Sequence, residues 1–195
     1  MATVLYFIRH GQTDWNAEQR FQGQRDVPLN DFGRSQAARN GRMLSDLLAK
    51  QSVENIDFVS SPLWRTRETM EILRSELGLE IADYKIDDRL KELSFGDWEG
   101  RTIDDLKENN PEHWNARRQD KWNFVSPGGE SYANLRNRIE GFFSNLKRST
   151  IVVSHGGVNR ALRSLITGDT SGAMAAAPTP QDKIMVVTGD NIKWV

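Results

Sequence analysis

Val4-Leu5-Tyr6-Phe7-Ile8-Arg9-His10-Gly11 decides how the rest of the chain is read. Five apolar or β-favouring residues run without a polar break and then give way at once to a cation, an imidazole and a glycine. Such a run reads as a buried strand that delivers reactive groups at its carboxyl end. The pattern recurs near the other terminus, where Ile151-Val152-Val153 leads into Ser154-His155-Gly156-Gly157 and then the helix-like Val158-Asn159-Arg160-Ala161-Leu162-Arg163. Two of the three histidines share this setting, which points to one common site rather than two unrelated packing positions.

Working outward, residues 11–30 carry glycine, asparagine, proline and charges without a helical period, and read as a long functional loop. Asn30 or Asp31 caps a helix that keeps Ala37, Ala38, Gly41, Leu44, Leu47 and Leu48 to one side. Residues 56–60 read as a second strand. It leaves through Ser61-Pro62 into a helix from Leu63 or Trp64, with Met70, Leu73 and Leu77 inward and Gly78 as its stop. Residues 81–86 suggest a third strand, interrupted by polar positions, and residues 89–100 are irregular. Thr102 caps a short helix, Pro111 starts another, and the stretch 109–127, with Trp114, Arg117, Arg118, Lys121 and Trp122, is expected to be an amphipathic flap rather than core. Ser131 caps a helix with Leu135, Ile139, Phe142, Phe143 and Leu146 inward. Residues 150–153 form a strand and 156–166 its helix, 173–180 a small-residue loop, and 183–187 with 191–194 a closing pair turned at Gly189-Asp190. Strands alternating with helices predict an α/β protein, a three-layer α/β/α sandwich with a mostly parallel central sheet. One domain over residues 1–195 is expected, with an insertion around 97–130.

The composition narrows the chemistry. A net charge of -1 gives no overall pull toward nucleic acid or an anionic membrane, so any affinity for phosphate must be local. The absence of cysteine excludes a disulfide framework, a thiolate metal site and a cysteine nucleophile. The first apolar run is too short, and too quickly followed by Arg9 and His10, for a signal peptide or membrane span, so a cytoplasmic location is expected. No Walker-type loop, dinucleotide fingerprint or nucleophile elbow is found.

In a sheet of this type ligands bind beyond the carboxyl ends of the strands, which brings Arg9, His10, the turn at 60–67 and His155 to one edge. Guanidinium forks from Arg9 and Arg65, with backbone N–H groups of a helix starting at Gly156, suit a compact dianion. A neutral imidazole within that cradle can attack phosphorus and form a phosphohistidine that water resolves. Arg9, Arg65 and a protonated His155 would stabilise the charge of the loose transition state. The loop acid Glu92 would protonate the leaving oxygen and then activate water. His113 reads as a surface residue, Arg67 as a solvated or supporting arginine, Glu99 as a loop-fixing acid, and Asp87-Asp88 and Asp104-Asp105 as turn and helix-start residues.

Arg9-His10-Gly11, Ser61-Pro62-Leu63-Trp64-Arg65-Thr66-Arg67-Glu68-Thr69, Leu90-Lys91-Glu92 with Phe95-Gly96-Asp97-Trp98-Glu99-Gly100, and Ser154-His155-Gly156-Gly157 together resemble the histidine phosphatase superfamily, the phosphoglycerate mutase-like proteins. The likeness spans nearly the whole chain in the expected order. It implies His10 as the phosphorylated nucleophile, Arg9, Arg65 and His155 as phosphate ligands, and Glu92 as proton donor. It also implies Asn16 and the Gln22-Gly23 loop against the phosphate or substrate, a small phosphorylated metabolite as partner, and no metal or other cofactor. Glu92-Leu93-Ser94-Phe95-Gly96 and Ser126-Pro127-Gly128-Gly129-Glu130-Ser131 depart from the mutase pattern and favour the phosphatase branch. Arg117-Arg118 resembles the arginine pair with which mutases hold a substrate carboxylate, so phosphoglycerate mutase stands as the alternative. A phosphate-sensing module without catalysis is the reading from another class.

Overall fold

The computed structural model describes residues 3–49 and 52–195. In chain order the elements are β1 (Val4–Arg9), α1 (Asp14–Ala17), α2 (Asp31–Leu48), β2 (Asp57–Ser60), α3 (Trp64–Glu76), β3 (Lys85–Ile86) and α4 (Ile103–Asn109). They continue with α5 (Pro111–Gln119), α6 (Tyr132–Phe143), β4 (Thr150–Ser154), α7 (Gly156–Thr167), α8 (Gly172–Ala176), β5 (Ile184–Thr188) and β6 (Asn191–Trp194). The strands form one sheet in the order β3-β2-β4-β1-β5-β6. Parallel pairings join β3 to β2, β2 to β4 and β4 to β1, whereas β5 and β6 close the sheet in antiparallel fashion.

The period-two rule explains the layers. Alternate side chains of β1 and β4 point to opposite faces, and both faces are covered. Leu5, Phe7 and Val152 pack with Leu135 and Ile139 of α6 and Val158 and Leu162 of α7. Tyr6, Ile8, Ile151 and Val153 pack with Leu44 and Leu48 of α2 and Met70 and Leu73 of α3. Burying each such side chain contributes about 1.5–3 kcal/mol, which is why an unbroken apolar strand settles only between two helical layers. The expected three-layer α/β/α sandwich is therefore the observed architecture.

Several local expectations change. The third strand shrinks to Lys85–Ile86, paired with Val59 and Ser60, while Ile81 and Ala82 form a turn and residues 83–84 are irregular. Ile81 and Ile86 are exposed, so nothing holds a longer strand at that edge. The loop after β1 contains α1, whose start is closed by reciprocal bonds between Thr13 and Asn16. The small-residue segment contains α8, capped by Ser171, because Met174 and Ala175 pack into the core. In α2, Leu47 is exposed and the buried stripe instead takes Gly33 and Asn40. Trp122 is core rather than flap surface: it is buried and stacks on Tyr132 at 5.6 Å between centroids. By contrast α5 buries no residue.

Candidate active site

The parallel register builds the site. Arg9 of β1 is paired with Ser154 of β4, and the ladder runs one step further through His10 N–H to Ser154 C=O at 3.0 Å. His10 and His155 each follow their strand's last residue, so neighbouring strands set their rings 5.3 Å apart, edge to face. The chain crosses from β1 to β2 on one face of the sheet and from β4 to β5 on the other, so this is the switch point where such sheets receive ligands.

Both imidazoles are buried. His10 Nδ1 lies 2.7 Å from the Gly11 carbonyl, which acts only as an acceptor; Nδ1 therefore carries the proton and Nε2 the lone pair. His155 Nε2 meets Ser61 Oγ at 2.8 Å, and its Nδ1 has no hydrogen-bond partner. Desolvation, then Arg65 and Arg9, hold His10 well below the ordinary histidine range. His155 is pushed down in the same direction by burial, Arg65, His10 and Arg9. Without an anion beside it the His155 ring therefore favours the neutral form.

Arg65 stands in the first turn of α3 and is fully buried, its two terminal nitrogens donating to the carbonyls of Gly23 and Arg25 at 2.7 Å each. Arg9 donates to the Thr179 carbonyl at 2.8 Å. Burial lowers both guanidiniums to about 10, which leaves them cationic at neutral pH. Each keeps a buried Nε without a partner.

Glu92 is seated by Leu93 N–H at 2.8 Å and by Gly157 N–H, at the start of α7, at 3.1 Å. A Cβ on Gly157 would come within 2.2 Å of the Glu92 carboxylate, so only glycine admits the acid there. Glu99 accepts the N–H groups of Gln24 and Phe95 and fixes the loop, as its sequence setting suggested.

Arg9, His10, Asn16, Gln22, Gly23, Arg65, Glu92 and Gly156 line one cleft of about 240 Å³, with His155 just behind it. Asn16 and the His10 carbonyl are tied together by the Gln181 amide, at 3.2 and 3.0 Å. Gln22 accepts from Thr13 Oγ1 at 2.7 Å, and Gly23 adopts a positive φ of 55° where its carbonyl meets Arg65. Arg117 and Arg118 are not brought to this cleft. Arg117 lies over the rings of Phe21 and Trp114, at 5.3 and 5.4 Å, and Arg118 is exposed. Sequence reasoning missed Arg160, Tyr132 and Thr179, which also line the cleft. Arg160 was within reach, since four residues after Gly156 on a helix is the same face. Tyr132 and Thr179 carry no such signal, because only the packing of α6 and the segment before β5 brings them there. Among the described residues no group of acids and histidines with metal-binding spacing occurs.

The strand order and the paired histidines at its switch point define the class, an α/β protein of the phosphoglycerate mutase-like fold. A family model described as histidine phosphatase superfamily (branch 1) matches residues 5–195. The chain belongs to that superfamily. It is 37% identical over 172 residues to the "Probable phosphoglycerate mutase GpmB" of Salmonella paratyphi C, covering 84% of this chain and 74% of that protein. Mycobacterial glucosyl-3-phosphoglycerate phosphatase, solved with VO3, superposes with a TM-score of 0.81 at 28% identity, covering 100% of this chain and 97% of that one. The α-ribazole phosphatase of Shigella flexneri gives 0.79 at 28% identity, over 94% and 89% of the two chains.

Proposed function

We propose that this protein is a metal-independent phosphomonoester hydrolase acting on a small phosphorylated metabolite through a phosphohistidine at His10. The observation that carries this reading is the tautomer of His10. Its Nδ1 proton is committed to the Gly11 carbonyl, which leaves an Nε2 lone pair in a cleft whose two arginines keep unpartnered donors. Nε2 attacks phosphorus, the bond to the leaving oxygen breaks, and Glu92 supplies the proton that this oxygen takes up. Glu92 then removes a proton from water, whose oxygen attacks phosphorus as the P–N bond breaks and His10 is restored. Arg9, Arg65 and the Gly156 end of α7 spread the charge of the equatorial oxygens. A bound dianion also favours a proton on His155, reversing the effect of the two guanidiniums. The neighbour solved in complex with VO3 supports an oxyanion as the ligand of this protein.

Replacing His10 with Ala should abolish both the hydrolysis of an aryl phosphate and the acid-labile phosphoryl label that rapid quenching traps on the wild-type protein. Turnover retained by H10A would end this account. The relatives named as phosphoglycerate mutase support the alternative reading as a mutase. Isomerisation of 3-phosphoglycerate far faster than phosphate release would select it. Tight phosphate binding with no trapped intermediate would instead select a sensing module.

A further inference from the structure

Behind the aromatic wall of the cleft lies a second, much smaller cavity, about 10 Å³, between the loop carrying Trp98, the segment after α5 and the start of α6. That is room for one water-sized particle. Five of the six polar side chains in its lining can donate a hydrogen bond, and three of them, Trp98, Arg117 and Lys121, can only donate. Trp98 and Ser126 are buried, and the indole Nε1 and the hydroxyl Oγ have no hydrogen-bond partner. Tyr132 presents a hydroxyl whose oxygen already accepts from Arg160 at 3.2 Å, so its own proton is available. Arg117 and Lys121 add two cations, and neither forms an ion pair among the described residues. Glu130 is the carboxylate in the lining, and its charge is paired with Arg138, which donates to its two oxygens at 3.0 and 2.8 Å.

We propose that this cavity binds a small monovalent anion, chloride in the cell, and that the ion fastens the segment around Lys121 against the Trp98 loop. A neutral water would leave the lining with more donors than it can accept and two cations without a counter-charge; a halide accepts from every donor at once. Chloride is slightly larger than water, and the half-buried Lys121 side chain at the rim supplies the extra room. Burial together with Arg117 and Arg160 lowers the Lys121 ammonium to about 8, the situation that a bound anion relieves. The site is separate from the His10 chemistry, although Tyr132 borders both cavities.

Crystals of the wild-type protein soaked in bromide should show an anomalous peak between Trp98, Ser126 and Lys121. In solution, chloride or bromide should raise the melting temperature saturably over isethionate at equal ionic strength. Lys121→Met and Ser126→Ala should each weaken the apparent halide affinity, the lysine change by about tenfold or more, as expected for loss of a charge-assisted contact. Density with no anomalous signal, meaning water in the cavity, would overturn the proposal. A peak without halide-specific stabilisation, meaning an adventitious ion only, would overturn it too. Either failure leaves the phosphohistidine reading untouched, because H10A tests that separately.

Discussion

Gly157 shows how much a single missing methyl group can carry. The Glu92 carboxylate occupies the space that a Cβ would need, and accepts a hydrogen bond from the same residue's N–H. Gly157→Ala is therefore expected to displace the acid while leaving His10, Arg9 and Arg65 in place. On the proposed mechanism kcat/KM, which reports transfer to His10 and not the later attack of water, should fall by about a hundredfold for alkyl phosphates, the usual cost of about 1 Å of misplacement, and far less for aryl phosphates whose leaving group needs no proton. Equal losses on both substrates would remove Glu92 from the acid role. The depressed titration of His10 gives a second expectation at this scale. The acid limb of kcat/KM due to the nucleophile should lie well below 6.5, because burial and two guanidiniums keep the ring neutral there. A pH profile with a limb centred at the ordinary histidine value would contradict it.

Elements are tied to one another by a few buried bonds, and Thr69 is one of them. Its hydroxyl donates to the Arg65 carbonyl within α3 at 2.7 Å and accepts the Gly11 N–H just beyond β1 at 3.1 Å. Thr69→Val keeps the shape but strands a buried N–H, and should cost about 1–3 kcal/mol in urea denaturation. The cap of α6 is a milder test. Ser131 accepts the Asn134 N–H at 3.1 Å, and Ser131→Ala should cost about 1 kcal/mol. Caps of this kind were legible because they depend on residues three apart: Thr102 and Ser131 sit where the sequence put them, and of Asn30 and Asp31 it is Asn30 that caps α2. Edges were less legible. Residues 81–86 had the composition of a strand, but an edge position with exposed Ile81 and Ile86 leaves only Lys85–Ile86 paired. Likewise Trp122 looked like surface beside Arg117, Arg118 and Lys121, until Tyr132 gave it a ring to stack on.

The whole molecule pays for its buried imidazoles in acid. His10 and His155 titrate below 6.5 in the folded chain, while the unfolded chain takes up those protons near 6.5. The unfolded state thus binds more protons as pH falls, so stability is complete above about 6.5 and declines below it toward the lower folded values. Denaturation midpoints should drop between about pH 7 and pH 5, and His155→Asn should flatten that dependence. An unchanged slope in the variant would mean that other groups set it. Sequence alone determined the alternation of strands and helices, the two histidines at strand exits and the arginine that opens α3, because these rest on periodicity, caps and glycine punctuation within a few residues. Only the tertiary structure decided that Thr179 and Tyr132 line the cleft, that Arg118 faces solvent, and that burial shifts His155 toward its neutral form. Those outcomes come from desolvation and from contacts between segments far apart in the chain, and neither leaves a periodic trace in the order of residues.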